Sequence, residues 1–324
     1  MADKGIEISI IVPVYNAVAT IEKTLDSFTK LNFSAEKLEI ILVDDGSTDN
    51  TLEIVRKWGL ANKDNKNLPK VSIIRQKNQG PGAARNNGVK HSKANFVYFT
   101  DSDCYVTENC ITLLHSKFKD DIRIGAVGGS IELPKNEKNV LAIADHYASW
   151  YHHNPQQKPH YVRSTPTANL MVKKEVFDAI GYFKEKIKAG EDVEFGARMQ
   201  QHGYKFYSLN TAYVYHYNRT SLKDFFKHGY KWGFYGASVR INNSSTKYHY
   251  LFPANIFLAS LYFIPLFLMQ FCYIILQWLK VKDFKVILYS PLIFLRCLAY
   301  QLGVLKQTAH YVKNQRTIVA PASS

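Results

Sequence analysis

Cysteine is scarce in this chain: four copies, Cys104, Cys110, Cys272 and Cys297, and no two of them at CxxC spacing. That gives no support for a zinc site or a disulfide framework, and a reducing cytoplasmic face fits best. Acidic residues are also short, 27 against 41 Lys and Arg, which leaves a formal net charge of +14. The expected partner is therefore acidic, either nucleotide phosphates, anionic lipid or nucleic acid. Aromatic residues do not interleave with basic clusters as a nucleic-acid platform requires, so nucleic acid ranks last of the three. A signal-peptide pattern is missing as well, because Met1 to Glu7 is polar and leads directly into an apolar strand. With 46% hydrophobic residues over 324 positions, disordered and fibrous classes are excluded, and one large domain or two smaller ones are expected.

What is present is a series of short apolar runs that stop at polar residues. Ile8 to Val14 reads as a strand, followed by Ile21, Leu25 and Phe28 at helical spacing. Leu38 to Val43 is a second strand, running into Asp44-Asp45-Gly46-Ser47-Thr48-Asp49, where Ser47 or Thr48 can cap the next helix. Val71 to Ile74 and Phe96 to Phe99 follow, and Ala126 to Gly129 begins another strand. Strands alternating with helices predict an α/β fold with a parallel sheet covered on both faces, whose polar strand ends share one edge. Ligands bind at that edge in open α/β sheets. Asp101 and Asp103, one residue apart at the end of the fourth strand, offer hard oxygens to Mn²⁺ or Mg²⁺ that also holds substrate phosphate. Gly80-Pro81-Gly82 does not follow the first strand, and Arg85 stands where a dinucleotide fingerprint needs glycine, so a dehydrogenase is rejected.

Taken together, Pro13-Val14-Tyr15-Asn16, Asp44 to Asp49, Asn78-Gln79-Gly80-Pro81-Gly82-Ala83-Ala84-Arg85-Asn86 and Asp101-Ser102-Asp103 resemble the ordered motif series of family 2 glycosyltransferases. The resemblance implies the GT-A fold, a Rossmann-like mixed sheet with helices on both faces, over residues 1–240. It implies that Pro13, Tyr15 and Asp44 surround the base and ribose of a nucleotide sugar, with Asp45 nearby, and that Asn78, Gly82 and Arg85 line the same pocket. Asp101 and Asp103 would hold the ribose and the metal on the diphosphate, and His216 would complete the metal site, as a histidine near this point does in some GT-A enzymes. Glu191-Asp192 looks like the acceptor-side motif of the family, with Asp192 as general base and inversion of configuration as the outcome. Thr167 to Val172 resembles the strand lining the acceptor side. His228-Gly229-Tyr230-Lys231-Trp232 stands where processive synthases carry Gln-x-x-Arg-Trp, and Lys cannot reproduce a guanidinium clamp, so transfer of a single sugar is expected, with Trp232 stacking on the acceptor or filling a core.

Residues 241–324 form a hydrophobic, membrane-associated helical region. Ile256 to Leu279 is long enough to cross a bilayer, and Val286 to Leu305 is a weaker span interrupted by Pro291 and Arg296. Lys280, Lys282 and Lys285 between them oppose a spanning hairpin, whereas Lys306, Lys313 and Arg316 favour one, so spanning and interfacial geometries stay open. The expected protein is a metal-dependent glycosyltransferase at the cytoplasmic membrane face, using a nucleotide diphosphate sugar, by family frequency a UDP-sugar. Its acceptor would be a lipid-linked oligosaccharide or a surface polysaccharide. A polyprenyl-phosphate glycosyltransferase and a non-catalytic nucleotide-binding scaffold are the alternatives. Sugar, linkage and oligomeric state leave no mark in the spacing.

Overall fold

The computed structural model describes residues 5–319 apart from Asn67, Ser245 and Lys247, and the side chains up to Asn314. The beginning of the polar leader and the side chain of Arg316 lie outside the described residues. Two compact units emerge, Met1–Pro134 with His153–Tyr217, and Lys135–His152 with Asn218–Ser324.

The first unit is built on a nine-stranded sheet in the order β3-β2-β1-β4-β8-β6-β9-β5, with β7 also on β9. The strands are β1 Ile8–Val14, β2 Leu38–Asp44, β3 Lys70–Arg75, β4 Phe96–Thr100, β5 Cys104–Val106, β6 Ile124–Glu132, β7 His160–Val162, β8 Asn169–Lys173 and β9 Lys205–His216. Through the chain run helices α1 Ile21–Phe28, α2 Thr51–Ala61, α3 Pro81–His91, α4 Cys110–Ser116, α5 Val140–Ser149, α6 Lys174–Ile180, α7 Glu191–Gln201, α8 Leu222–Ile241, α9 Ile256–Lys280 and α10 Val286–Val319. Ile10, Ile11 and Val12 are all fully buried, which for successive strand residues means that both faces are covered. One face packs Ile11, Val97, Phe99 and Leu170 against Val89 of α3, Phe177 of α6 and Phe195 of α7.

The four strands β3, β2, β1 and β4 are parallel, as the strand–helix alternation predicts. Beyond β4 the sheet becomes mixed, as the GT-A resemblance implies, because β8 runs antiparallel to both β4 and β6. Asn169 secures this change of direction. Its Nδ2 donates to the carbonyls of Ser130 and Ala212, at 3.0 and 3.1 Å, and its Oδ1 accepts from the Tyr98 hydroxyl at 3.1 Å. One fully buried amide thereby satisfies polar groups of β4, β6 and the β9 bulge region. The registers set Val14 opposite Asp44 and Asp44 opposite Arg75, aligning the strand ends along one edge.

The second unit holds α5, α8, α9 and α10, so α5 and α8, expected within residues 1–240, belong with the apolar helices. The reason is buried chemistry. Asp145 of α5 is fully buried, and its Oδ1 accepts from Arg296 Nε of α10 at 3.1 Å, with His228 Nδ1 of α8 at 3.3 Å. Trp278 of α9 donates to the Tyr147 carbonyl at 2.9 Å. Arg296, which interrupts the apolar run in sequence, is thus neutralised inside the unit, and α10 continues past it to Val319. Two helices, Ile256–Lys280 and residues 286–314 of α10, are long and apolar enough to cross a membrane.

Candidate functional site

The ends of β1 and β2 carry a network of short polar side chains. Asp44 is buried, and its Oδ1 accepts from the Ser47 amide at 3.0 Å, with Arg75 Nε 3.2 Å from Oδ2. Oδ2 has that ion pair and no hydrogen bond, so its remaining acceptor capacity lies at the strand end. Ser47 and Thr48 do not cap α2. Ser47 Oγ accepts from the Asn16 amide at 3.1 Å, and the Thr48 amide donates to Asn16 Oδ1 at 2.9 Å, tying the β1 and β2 loops together. The cap of α2 falls at Asn50, where Asp49 Oδ1 accepts from the Thr51 amide instead.

Asp45 organises the next loop. Its carboxylate accepts from Gln76 Nε2 at 2.8 Å and from the amides of Gln79 and Gly80 at 2.9 and 2.8 Å. A carboxylate saturated by three donors fixes a loop rather than reacts. Gly46 sits at φ 78°, and a Cβ there would lie 3.1 Å from the Asn78 amide, so the two loops approach as closely as only glycine allows. This clasp was visible in sequence only as an acid beside Asp44.

Arg85 joins the donor-side loops to the start of α7. Its side chain is buried, with Nη2 2.8 Å from Asp101 Oδ1 and Nη1 2.6 Å from Glu191 Oε1. Burial opposes the charge, and the two carboxylates outweigh it, raising its pKa. The guanidinium expected to line the nucleotide pocket is engaged by these two acids, and Glu191, expected at the acceptor, is buried against it. Replacing Arg85 by Met should strand two carboxylates and cost about 3 kcal/mol of stability, read from a shifted urea midpoint at unchanged slope.

Asp192, the second residue of α7, is half-buried and accepts from its neighbour's amide at 2.8 Å. Burial and the adjacent Glu191 charge raise its pKa to about 7, against the opposing pull of Arg85. An acid poised there is half ionised near neutrality, which suits a general base.

A second cluster forms where β5 pairs with β9. The register sets Cys104 opposite His216, and the Tyr217 amide donates to the Asp103 carbonyl at 2.9 Å. His216 Nε2 lies 3.5 Å from Asp103 Oδ1, and ligand atoms of Asp103, Cys104 and His216 all fall within 4.8 Å. A carboxylate oxygen with an imidazole suits Mn²⁺, whereas Mg²⁺ would rely on the carboxylate, water and phosphate oxygens. The Cys104 thiol is a soft donor, and burial followed by the charges of Asp103 and Asp101 pushes its pKa far up, so it keeps its proton. Asp101, expected as a third ligand, turns Oδ1 to Arg85 instead.

The remaining expected residues spread along the same unit or leave it. Pro13 is half-buried in β1, Tyr15 is 49% exposed just beyond it, Asn78 is exposed, and Gly82 is buried in the first turn of α3. Trp232 belongs to the second unit, where its ring meets His228 edge-on at 5.9 Å.

Comparison with known proteins decides the family. A sequence profile described as Glycosyl transferase family 2 matches residues 9–181, and one described as Glycosyl transferase family group 2 matches residues 96–303. The chain belongs to glycosyl transferase family 2. It is 30% identical over 197 residues to glycosyltransferase AglE of Haloferax volcanii, covering 61% of this chain and 62% of AglE. It is 40% identical over 103 residues to the poly(ribitol-phosphate) beta-N-acetylglucosaminyltransferase TarS of Staphylococcus aureus, covering 32% of this chain and 17% of TarS. The chain thus spans less than two thirds of either relative. Among solved structures, mannosyltransferase PcManGT of Pyrobaculum calidifontis, in complex with GDP-Man and Mn²⁺, superposes with TM-score 0.63 at 19% identity, covering 96% of this chain and 88% of that one. A TarS 1–349 structure in complex with UDP-GlcNAc gives 0.51 at 20% identity, covering 98% and 93%. The sheet and its helices are therefore those of a GT-A glycosyltransferase.

Proposed function

We propose that this protein is an inverting, metal-dependent glycosyltransferase. It moves one sugar from a nucleotide diphosphate sugar, a UDP-sugar by preference, to a lipid-linked oligosaccharide or surface polysaccharide at a membrane. The observation that carries the reading is the Arg85 bridge, which links Asp101 at the donor edge to the Glu191-Asp192 pair at the start of α7. The names of the relatives, an N-acetylglucosaminyltransferase acting on poly(ribitol-phosphate) among them, support hexosyl transfer to a cell-envelope glycan.

The steps follow from the side chains. Asp44, buried at the end of β2, holds the nucleoside, and Asp45 keeps the 76–80 loop in place around it. Asp103 and His216 would hold the cation. Bound Mn²⁺ or Mg²⁺ supplies positive charge against the charge that develops on the leaving phosphate. Asp192 takes the proton of the acceptor hydroxyl as that oxygen attacks the anomeric carbon opposite the departing nucleoside diphosphate, so the configuration inverts. Arg85 positions Asp101 and Glu191 and touches neither reacting atom.

Release of free nucleoside diphosphate from a panel of UDP- and GDP-sugars, with Mn²⁺ or Mg²⁺ and then EDTA, in the presence of membrane lipid extract, tests the reading. Release from one donor, dependent on the cation and raised by the extract, is expected. No binding or cleavage of any donor would favour a non-catalytic scaffold. Because Asp192 is active only when ionised, the transfer rate should fall about tenfold for each pH unit well below 7 and level off above it. A profile flat from pH 5.5 to 8 would remove Asp192 as the base.

The apolar helices attach the protein to a bilayer, with the sheet unit in the cytoplasm beside soluble nucleotide sugar. The exposed lysines at both ends of the α9–α10 pair, Lys280, Lys282, Lys285, Lys306 and Lys313, suit anionic headgroups.

A further inference from the structure

We infer that the α9–α10 pair lies in one leaflet of the membrane, with the turn between the helices on the same side as the sheet unit, and does not cross the bilayer. The inference rests on the membrane attachment proposed above and adds its geometry.

Length alone permits crossing, since the 25 residues of α9 extend about 37 Å against a hydrocarbon core of about 30 Å. What opposes it is the company α10 keeps inside its own unit. Gly229 and Gly233 of α8 and Gly303 of α10 bring the two backbones into contact: a Cβ on Gly233 would overlap the Tyr300 carbonyl, and one on Gly303 the Tyr230 carbonyl. Residues 296–303, near the middle of the apolar stretch 286–314, therefore lie flush against α8. A spanning α10 would carry α8 into the hydrocarbon with it. The outer face of α8 exposes Lys223, Asp224, Lys227 and Lys231, with no partner in the bilayer core for those charges.

The other flank of α10 gives the same answer. Asp145, Arg296 and His228 form a polar knot at the level of α10's eleventh residue. Near the turn, the Tyr147 hydroxyl donates to Asp283 Oδ2 at 3.0 Å, so α5 reaches the connection between α9 and α10. Yet α5 is joined by short connections at both ends to strands of the sheet unit, leaving it after Pro134 and returning at His153. Whichever side of the membrane holds the sheet therefore holds α5, and α5 holds the turn.

The occupant of the apolar face is lipid. Phe257, Leu261, Ile264, Leu268 and Leu276 expose a stripe along the whole of α9, continued at the turn by Phe284 and Leu288, at 64% and 76% exposure. Lysines flank that stripe at both ends, as for a helix pair immersed in one headgroup–acyl boundary.

The test uses the full chain in a Cys272→Ser background, which removes the exposed native thiol and leaves three buried ones. Lys282→Cys reports the turn and Lys63→Cys the sheet unit, each probed with a membrane-impermeant maleimide in intact cells of a bacterial host and in inverted vesicles. Both thiols should label from the same side, the vesicle exterior, with labelling differing by less than about twofold. Labelling of the two from opposite sides would overturn the inference while leaving membrane attachment standing. Recovery of the protein in the soluble fraction would overturn both. As a second reading, a fluorophore on Met269→Cys, midway along α9, should be quenched more strongly by lipid spin-labelled at acyl carbon 5 than at carbon 12. The reverse order would place the midpoint at the bilayer centre and refute the one-leaflet geometry.

Discussion

Replacing Asp192 by Asn is expected to lower sugar transfer by about 10³-fold while donor affinity changes less than about twofold. Asn keeps the shape and the hydrogen bond from the Val193 amide, and it cannot accept a proton from the attacking hydroxyl. The loss should appear in kcat, because the missing interaction exists only as the proton moves. Donor affinity, measured by titrating the nucleotide sugar against intrinsic fluorescence, serves as the control that the pocket is intact. Retained turnover in this variant would overturn the assignment. It would favour an acceptor that is already an anion, such as a polyprenyl phosphate, which needs little help from a base. The chemical ground for the expected result is the environment of the carboxyl, where burial and Glu191 together lift its pKa to about 7.

The second large effect is expected at the β5–β9 pair. Asp103→Ala should lower cation-dependent release of nucleoside diphosphate by about a hundredfold or more, since it removes the carboxylate nearest His216. His216→Ala should raise the Mn²⁺ concentration for half-maximal rate by about tenfold or more, with a smaller change in the saturated rate. EDTA should abolish release by the unaltered protein, and added Mn²⁺ or Mg²⁺ should restore it. Equal rates with and without EDTA, together with unchanged cation response in the His216 variant, would show that these two side chains hold each other and no ion.

Much of the donor half was legible in the sequence because its signals are local. The β1, β2 and β4 strands are short apolar runs with a sharp polar end, and each ends within one residue of its expected position. The start of α7 at Glu191 follows from adjacent acids before a helical period. Other features were invisible because they depend on partners far along the chain. The side chain of Asn169 reads as an ordinary strand polar residue until β4, β6 and β9 surround it. Arg85 reads as a residue of the nucleotide pocket, and its two carboxylate partners, Asp101 and Glu191, lie too far along the chain for the sequence to pair with it. Ser47 and Thr48 have the composition of a helix cap, and the neighbouring β1 loop claims them first.

The sequence by itself determined the α/β alternation, the family, the acids at positions 44, 101, 103 and 192, the first apolar helix close to its observed limits and the start of the second, which runs on from the expected Leu305 to Val319. Only the tertiary structure decided which partner each of those acids meets. Periodicity reports the side of a strand or helix on which a residue lies, but charge is governed by what is packed within a few ångströms of it. Asp103 and His216 meet through an antiparallel register, Asp101 is claimed by Arg85, and Asp192 stays ionisable near neutrality because its environment was assembled from separate parts of the fold. The same holds for Arg296, which breaks an apolar run in sequence and in the folded unit closes on Asp145.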